Sequence, residues 1–275
     1  MSHLSDIGFG FKNPNEFLEF VQQVVNLDGN KGFTSPNGHY MLWETGNGVE
    51  LWIHADKALQ LNGCGIHFRG EGQIRAHVTQ TFIAGNTPLH GCLYGWLNPS
   101  DENNPYSGEL PFASSVPNFD YIAEPLLRSP MVTLQIAAFV EKEIRCYMSD
   151  GAYHAVRGRS TAPSEVFEPD WSKGDEPGEP SAMAVCGGRV LAVEMRTNPA
   201  TNLPFYAILV KTRGGTIDMV ADPESLRGRP VVGGIVQANC WLSAAVLTEL
   251  ETPAALAQPE SAFRQKRDER ARTKA

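Results

Sequence analysis

The sequence predicts an α+β protein, mostly β: an antiparallel sheet domain with a packed helix, followed by a small β-barrel. Three observations carry this. Apolar and polar residues alternate over much of 38–97 and again from 182 onward, the period of half-buried strands. One stretch, following Asn13, instead has the 3.6-residue period of a helix. Gly (26) and Pro (19) are frequent in the 275 residues, which favours short strands and many turns over a helical bundle.

Taken in order, residues 6–11 read as a short strand. Asn13 is then a good N-cap, Pro14 suits the first helical position and Glu16 lies three residues after the cap. Phe17, Phe20, Val21, Val24 and Val25 share one face of this helix, which Asp28-Gly29 ends. Residues 39–44 and 49–54 form a hairpin about Gly46-Asn47-Gly48. Strands are expected at 64–68, 73–83 and 91–97, all in one antiparallel sheet. A proline-rich loop over 98–118 holds a short strand at 110–113. Residues 118–127 read as a short helix, 131–139 as a buried strand prolonged by 141–147, and 149–156 as a helical turn. From 182, strands are expected at 182–186, 189–196, 205–212, 216–221 and 235–246, with a short helix at 222–226. No segment repeats clearly in the sequence.

The expected organisation is an α+β sheet domain at 1–158 and an acidic Pro/Gly-rich linker or long loop at 159–181. A barrel at 182–248 and a polar, partly basic tail at 249–275 follow. Residues 160–181 hold six acids and one base, and Trp171 within the linker is expected to dock on a flanking domain. The tail carries six bases from Arg264 to Lys274 and is expected to be disordered in isolation.

The barrel segment resembles an OB-fold. The likeness rests on Gly187-Gly188-Arg189-Val190 opening a long strand and on Gly214-Gly215-Thr216-Ile217-Asp218 between strands. Val232-Gly233-Gly234-Ile235-Val236, entering the last strand, completes it. The chain as a whole is similar to uncharacterised bacterial proteins, a resemblance that implies no activity.

Composition narrows the function classes. A formal charge of −8 disfavours bulk electrostatic binding to nucleic acid or anionic lipid. No run of about 18 apolar residues offers a membrane span. The first residues lack the basic and apolar parts of a signal peptide, so a cytoplasmic protein is expected. Cys64, Cys92, Cys146, Cys186 and Cys240 are scattered and odd in number. They are expected to be reduced and to serve mostly as small buried residues. Gly-x-Ser-x-Gly, the phosphate-binding loop and the dinucleotide-binding fingerprint are all absent.

Two constellations could carry chemistry. His39, Glu50, His54 and His67 form the first. Glu50, Trp52 and His54 alternate, so they share a strand face, and His39 lies across the hairpin. Imidazoles with a carboxylate suit a divalent metal. The helix-then-strands order resembles the βαβββ module of glyoxalase-like proteins, which implies a metal-dependent enzyme. The blander alternative makes these side chains decoration on the solvent face of a half-buried sheet. The second set, Arg189, Arg196, Phe205, Lys211, Arg213 and Arg229, with Tyr206, Arg227 and Trp241, could take a single-stranded nucleic acid on the barrel. Lone His77 and His90 suit hydrogen-bonding or turn roles. The leading expectation is a non-enzymatic cytoplasmic binding or assembly protein without a cofactor. Its partner would be a protein, met through the barrel, and no membrane is involved.

Overall fold

The structure, a computed structural model, describes residues 3–157, 166–170 and 181–250. Most of the expected linker, Trp171 with it, and nearly all of the expected tail lie outside the described residues.

The chain opens with a 3-10 turn at Ser5–Ile7 and continues into α1 (Pro14–Val25), β1 (Lys31–Ser35), β2 (Gly38–Glu44), β3 (Val49–Asp56) and β4 (Leu61–Phe68). Next come β5 (Ile74–Ile83), β6 (Gly91–Leu97), β7 (Leu110–Val116), α2 (Phe119–Arg128), β8 (Met131–Tyr147) and α3 (Asp150–Arg157). The remainder holds β9 (Val166–Pro169), β10 (Met183–Thr197), β11 (Pro204–Thr212), β12 (Gly215–Ala221), a 3-10 turn at Pro223–Ser225, β13 (Leu226–Arg227) and β14 (Ile235–Val246). The fold is α+β and mostly β. Among the described residues, no helix is long and apolar enough to cross a membrane.

The first helix forms as its cap predicts. Asn13 accepts hydrogen bonds from Asn15 N and Glu16 N, and Glu16 reaches back to Lys12 N. Val21 and Val24 bury against Met41, Leu51 and Ile53 of β2 and β3. The expected strand at 6–11 is a turn instead. Gly8 adopts φ +76°, which reverses the chain, and Asp6 accepts the Asp222 N–H rather than pairing in a ladder. Ile7 and Phe9 still bury, against Phe68 and Phe205.

The single sheet expected over 38–97 divides in two. Strands β1 to β4 make an antiparallel four-stranded sheet in sequence order. After Arg69-Gly70-Glu71-Gly72 the chain enters a second, ten-stranded sheet at β5.

The barrel expected at 182–248 does not close on its own residues. Strands β10, β11 and β12 form an antiparallel meander, and β14 pairs with β10. The fifth stave is β8, from residues 131–147, parallel to β12 and antiparallel to β14. The boundary at 159–181 therefore separates no two sheets. Its residues 166–169 are themselves a strand paired with β10.

A second ring shares the same two strands. Strands β5, β6 and β7 form another meander; β8 pairs with β5, and β14 meets β7 in parallel at Ser243 and Ser115. Each half thus runs meander, short helix, long strand, and each long strand completes the other half's ring. This repeat is invisible in the residues because it lies in pairing, not in side-chain identity. Alternate residues of the shared strands, including Leu134, Ile136 and Ala138 of β8 and Val236, Cys240 and Leu242 of β14, fill one continuous core. Cys186 and Cys240 lie inside it as small apolar groups, and all five cysteines are free. The opposite face of β8, with Ala137 and Phe139, packs on the N-terminal turn and on Val49 and Phe68 of the small sheet.

Candidate functional site

The face of the small sheet that bears Glu50, Trp52 and His54 turns towards α2 and the large sheet. Cross-strand register places Glu44, Leu42 and Tyr40 of β2 beside them, and His67, Gly65 and Gly63 of β4 on the other side. The alternation predicted for Glu50, Trp52 and His54 is therefore present, but the face is covered rather than solvated. Glu50, His54 and His67 are all buried. His39 pairs with Ala55, out of phase with the Tyr40–His54 pair, and so belongs to the opposite face. Its Nδ1 lies 3.2 Å from Thr34 Oγ1. The predicted quartet is thus split three ways. Glu50 and His67 are direct partners, His54 stands four residues (about 13 Å) along β3, and His39 faces away. Among the described residues, no group of three or more His, Cys, Asp or Glu is placed to hold a metal ion.

His54 sits in a local hydrogen-bond chain. Its Nε2–H donates to the Pro117 carbonyl at 2.8 Å, which leaves Nδ1 to accept from His90 Nε2–H at 2.9 Å. Burial, then the neighbouring His90, push His54 down to about 3, and burial also lowers His90. Both rings are neutral, and His90 fills the hydrogen-bonding role expected of it.

His67 is the centre of a longer chain. Ser243 Oγ lies 2.9 Å from its Nδ1, and its Nε2–H donates to Gln135 Oε1 at 2.7 Å. Gln135 Nε2 donates to Asp218 Oδ2 at 2.7 Å. Asp218 also accepts the backbone N–H groups of Glu71 and Gly72, at 3.0 and 2.8 Å. The order of serine, imidazole, amide and carboxylate has the parts of a nucleophile relay. Yet Ser243 and His67 are fully buried and Gln135 nearly so, so no substrate reaches them. Burial pushes His67 down to about 4 and raises Asp218 against its hydrogen bonds. The chain ties β4, β8, β12 and β14 together; its work is structural.

Glu50, directly across from His67, behaves differently. Its Oε1 accepts from Arg69 Nε at 2.8 Å and its Oε2 from Trp52 Nε1 at 3.0 Å. Burial works to raise its carboxyl; His67, Arg69 and the two hydrogen bonds outweigh that and hold it below the usual range. Since His67 is neutral at pH 7, Arg69 is the charge that keeps Glu50 ionised. Above this pair opens a cleft of about 450 Å³. Phe33, Trp52, Lys31, Arg69 and Arg196 are among its walls. Phe33 and Trp52 stand 5.3 Å apart at 34°, Lys31 Nζ is 2.5 Å from Glu44 Oε1, and the Arg196 guanidinium lies 5.3 Å from the Phe68 ring centre. The cleft lies beside the β2–β3 turn. Gly48 there needs φ +85°, and any Cβ would press on Phe68 and the Arg69 carbonyl.

The barrel-side set is dispersed. Arg189 and Arg196 lie seven residues apart on β10, about 23 Å. Arg189 pairs with Asp150 and stands opposite Lys211 in register. Arg213 approaches Glu109 at 4.0 Å, Arg227 pairs with Glu143, and Arg229 is exposed. Phe205 is fully buried, edge-on to Phe68, and offers no stacking surface. Trp241 is stacked on His3 at 5.2 Å. Of this set, the structure brings only Arg196 to the cleft.

Arg69, Gln135, Asp218 and Ser243 were missed as site residues. A signal existed: Gln135, Asp218 and Ser243 each interrupt an otherwise apolar strand, which in a core demands a buried partner. No protein-family model, curated protein or solved structure matches the chain.

Proposed function

We propose that this chain is a non-catalytic binding protein and that its ligand occupies the cleft beside the β2–β3 turn. One observation carries this reading: a buried carboxylate, Glu50, spends both oxygens on positioning Arg69 and Trp52 at a solvent-open cleft. A general acid or base needs an oxygen available to substrate; Glu50 instead fixes two recognition groups. The volume suits a small molecule rather than a folded partner. Among the described residues, the one arrangement with the parts of a nucleophile relay, around His67, is sealed.

A thermal-shift screen against organic anions, cations and neutral metabolites, followed by hydrogen exchange of each hit, tests the proposal. Protection over 42–50 and 66–70 is the expected result. Hits that protect only other segments, or the absence of any hit, overturn it.

A further inference from the structure

Building on that proposed site, we infer that the ligand is a small organic anion, a carboxylate or phosphate ester, carried on a flat ring system. The anion half of the inference comes from Arg69. Its Nε is held on Glu50, while among the described residues no hydrogen bond engages its two terminal nitrogens. Its side chain is 42% exposed, at the cleft wall. A guanidinium anchored through Nε presents its other edge in a fixed plane, the geometry that receives two oxygens of a carboxylate or phosphate. A cationic ligand would need carboxylate oxygens to receive it, and both of Glu50's are already accepting from the protein. Glu44 is occupied at 2.5 Å by Lys31. Arg196, paired with Glu194 and set against the Phe68 ring, lines the other wall.

The flat half comes from Phe33 and Trp52. The Glu50 hydrogen bond fixes the plane of the indole. Trp52 and Leu42 are each only 5% exposed, so half-buried Phe33, packed on the indole, carries most of the open apolar floor. Such a floor favours a rigid ring over a flexible chain, because stacking then costs little conformational entropy. Glu50 thereby orients both halves, the charged edge of Arg69 and the ring of Trp52, from one buried point.

Four probes test this by calorimetric titration: 2-naphthoate, 2-naphthyl phosphate, neutral 2-naphthamide and inorganic phosphate. The naphthyl anions are expected to bind at least about tenfold more tightly than the amide, the scale of one charge-assisted hydrogen-bond pair. Whichever naphthyl anion is tighter identifies the head group. Arg69→Lys, which keeps the charge but loses the planar fork, is expected to reduce anion affinity about tenfold and leave amide affinity unchanged. The unchanged amide also reports that the variant is folded. Phe33→Ala should weaken both naphthyl anions and leave inorganic phosphate unaffected. Equal binding of amide and anions, with protection still at 42–50 and 66–70, overturns the ligand class while the cleft stands. Inorganic phosphate binding as tightly as the naphthyl anions overturns the ring. If no probe and no library compound protects those segments, the cleft itself falls.

Discussion

Glu50 and His67 face each other across β3 and β4 on one face of one sheet, yet they sit at the heads of two different kinds of polar network. From Glu50 the hydrogen bonds lead outward, to an arginine with 42% of its side chain in solvent. From His67 they lead inward through Ser243, Gln135 and Asp218 to the backbone of the Gly70–Gly72 bend. Residue chemistry alone would favour the second network for catalysis, since it has the hydroxyl, the imidazole and the carboxylate. Access reverses that ranking. A polar chain closed on all sides satisfies its own members and rigidifies the core, whereas one that ends at solvent has donors left to offer a ligand.

The sharpest way to test the contrast is to cut the inward network. Asp218→Ala leaves three donors without their acceptor: Glu71 N, Gly72 N and Gln135 Nε2. Each buried orphan costs about 1–3 kcal/mol, so a loss of roughly 3 kcal/mol or more is expected. Urea unfolding should show it as a lower midpoint at an unchanged slope. Gly70→Ala should act in the same direction, because a Cβ there collides with the Asp218 carboxylate. Asp218 is not part of the cleft lining, so ligand binding should survive in the folded fraction of Asp218→Ala, whereas Gly70→Ala, next to Arg69, reports on stability alone. A loss below about 1 kcal/mol for Asp218→Ala would remove the structural role assigned to this chain.

The buried titratable groups also divide in their response to pH. His67 is held near 4 and His54 near 3 in the fold, against about 6.5 for a free imidazole. Below pH 6.5 the unfolded chain therefore binds protons that the native state refuses, and stability falls as pH is lowered. His67 alone should account for roughly 3 kcal/mol of loss by pH 4, at about 1.4 kcal/mol for each pKa unit. Asp6 works the other way. Burial raises it to about 6, so the native state takes up its proton first and gains stability as pH falls through 6 towards 4. His90, also lowered, adds to the loss, and Asp218, also raised, adds to the gain. With three imidazoles against two carboxyls, net destabilisation is expected between pH 6.5 and 4. Urea midpoints at pH 7, 5.5 and 4 measure it. In His67→Gln the slope should be shallower, and an unchanged slope would contradict a neutral, sealed His67.

How much of this was legible in the sequence depended on what each residue's neighbours in the chain could reveal. The cap at Asn13, the hairpin at 46–48 and the alternation of Glu50, Trp52 and His54 are local, and all three are present. The strand at 235–246 falls where expected because its apolar run is bounded by Gly233-Gly234. Non-local facts were not readable. Nothing in residues 131–147 says that they complete a ring begun fifty residues later, since a strand buried on both faces is one apolar run whatever its partners. His39 was grouped with His54 because spacing gives strand faces only after the register is known, and the register is one residue out of phase for that pair. Arg69 escaped notice as an ordinary loop cation. Its importance depends on Glu50, nineteen positions earlier, being buried.

The smallest expected effect completes the scale at its exposed end. Arg189 donates to both oxygens of Asp150, at 2.9 and 3.2 Å, and to the Gly233 carbonyl at 2.7 Å. By count this is a richer set of bonds than Arg69 has. But the two side chains are 44% and 50% exposed, so water replaces whatever is removed. Arg189→Ala should therefore cost under about 1 kcal/mol in urea unfolding. Because Arg189 lies seven residues, about 23 Å, along β10 from Arg196, the variant should also leave cleft affinity unchanged. A cost above about 2 kcal/mol would mean that hydrogen-bond number, not access to solvent, orders these networks, and the distinction between Glu50 and His67 would lose its physical basis.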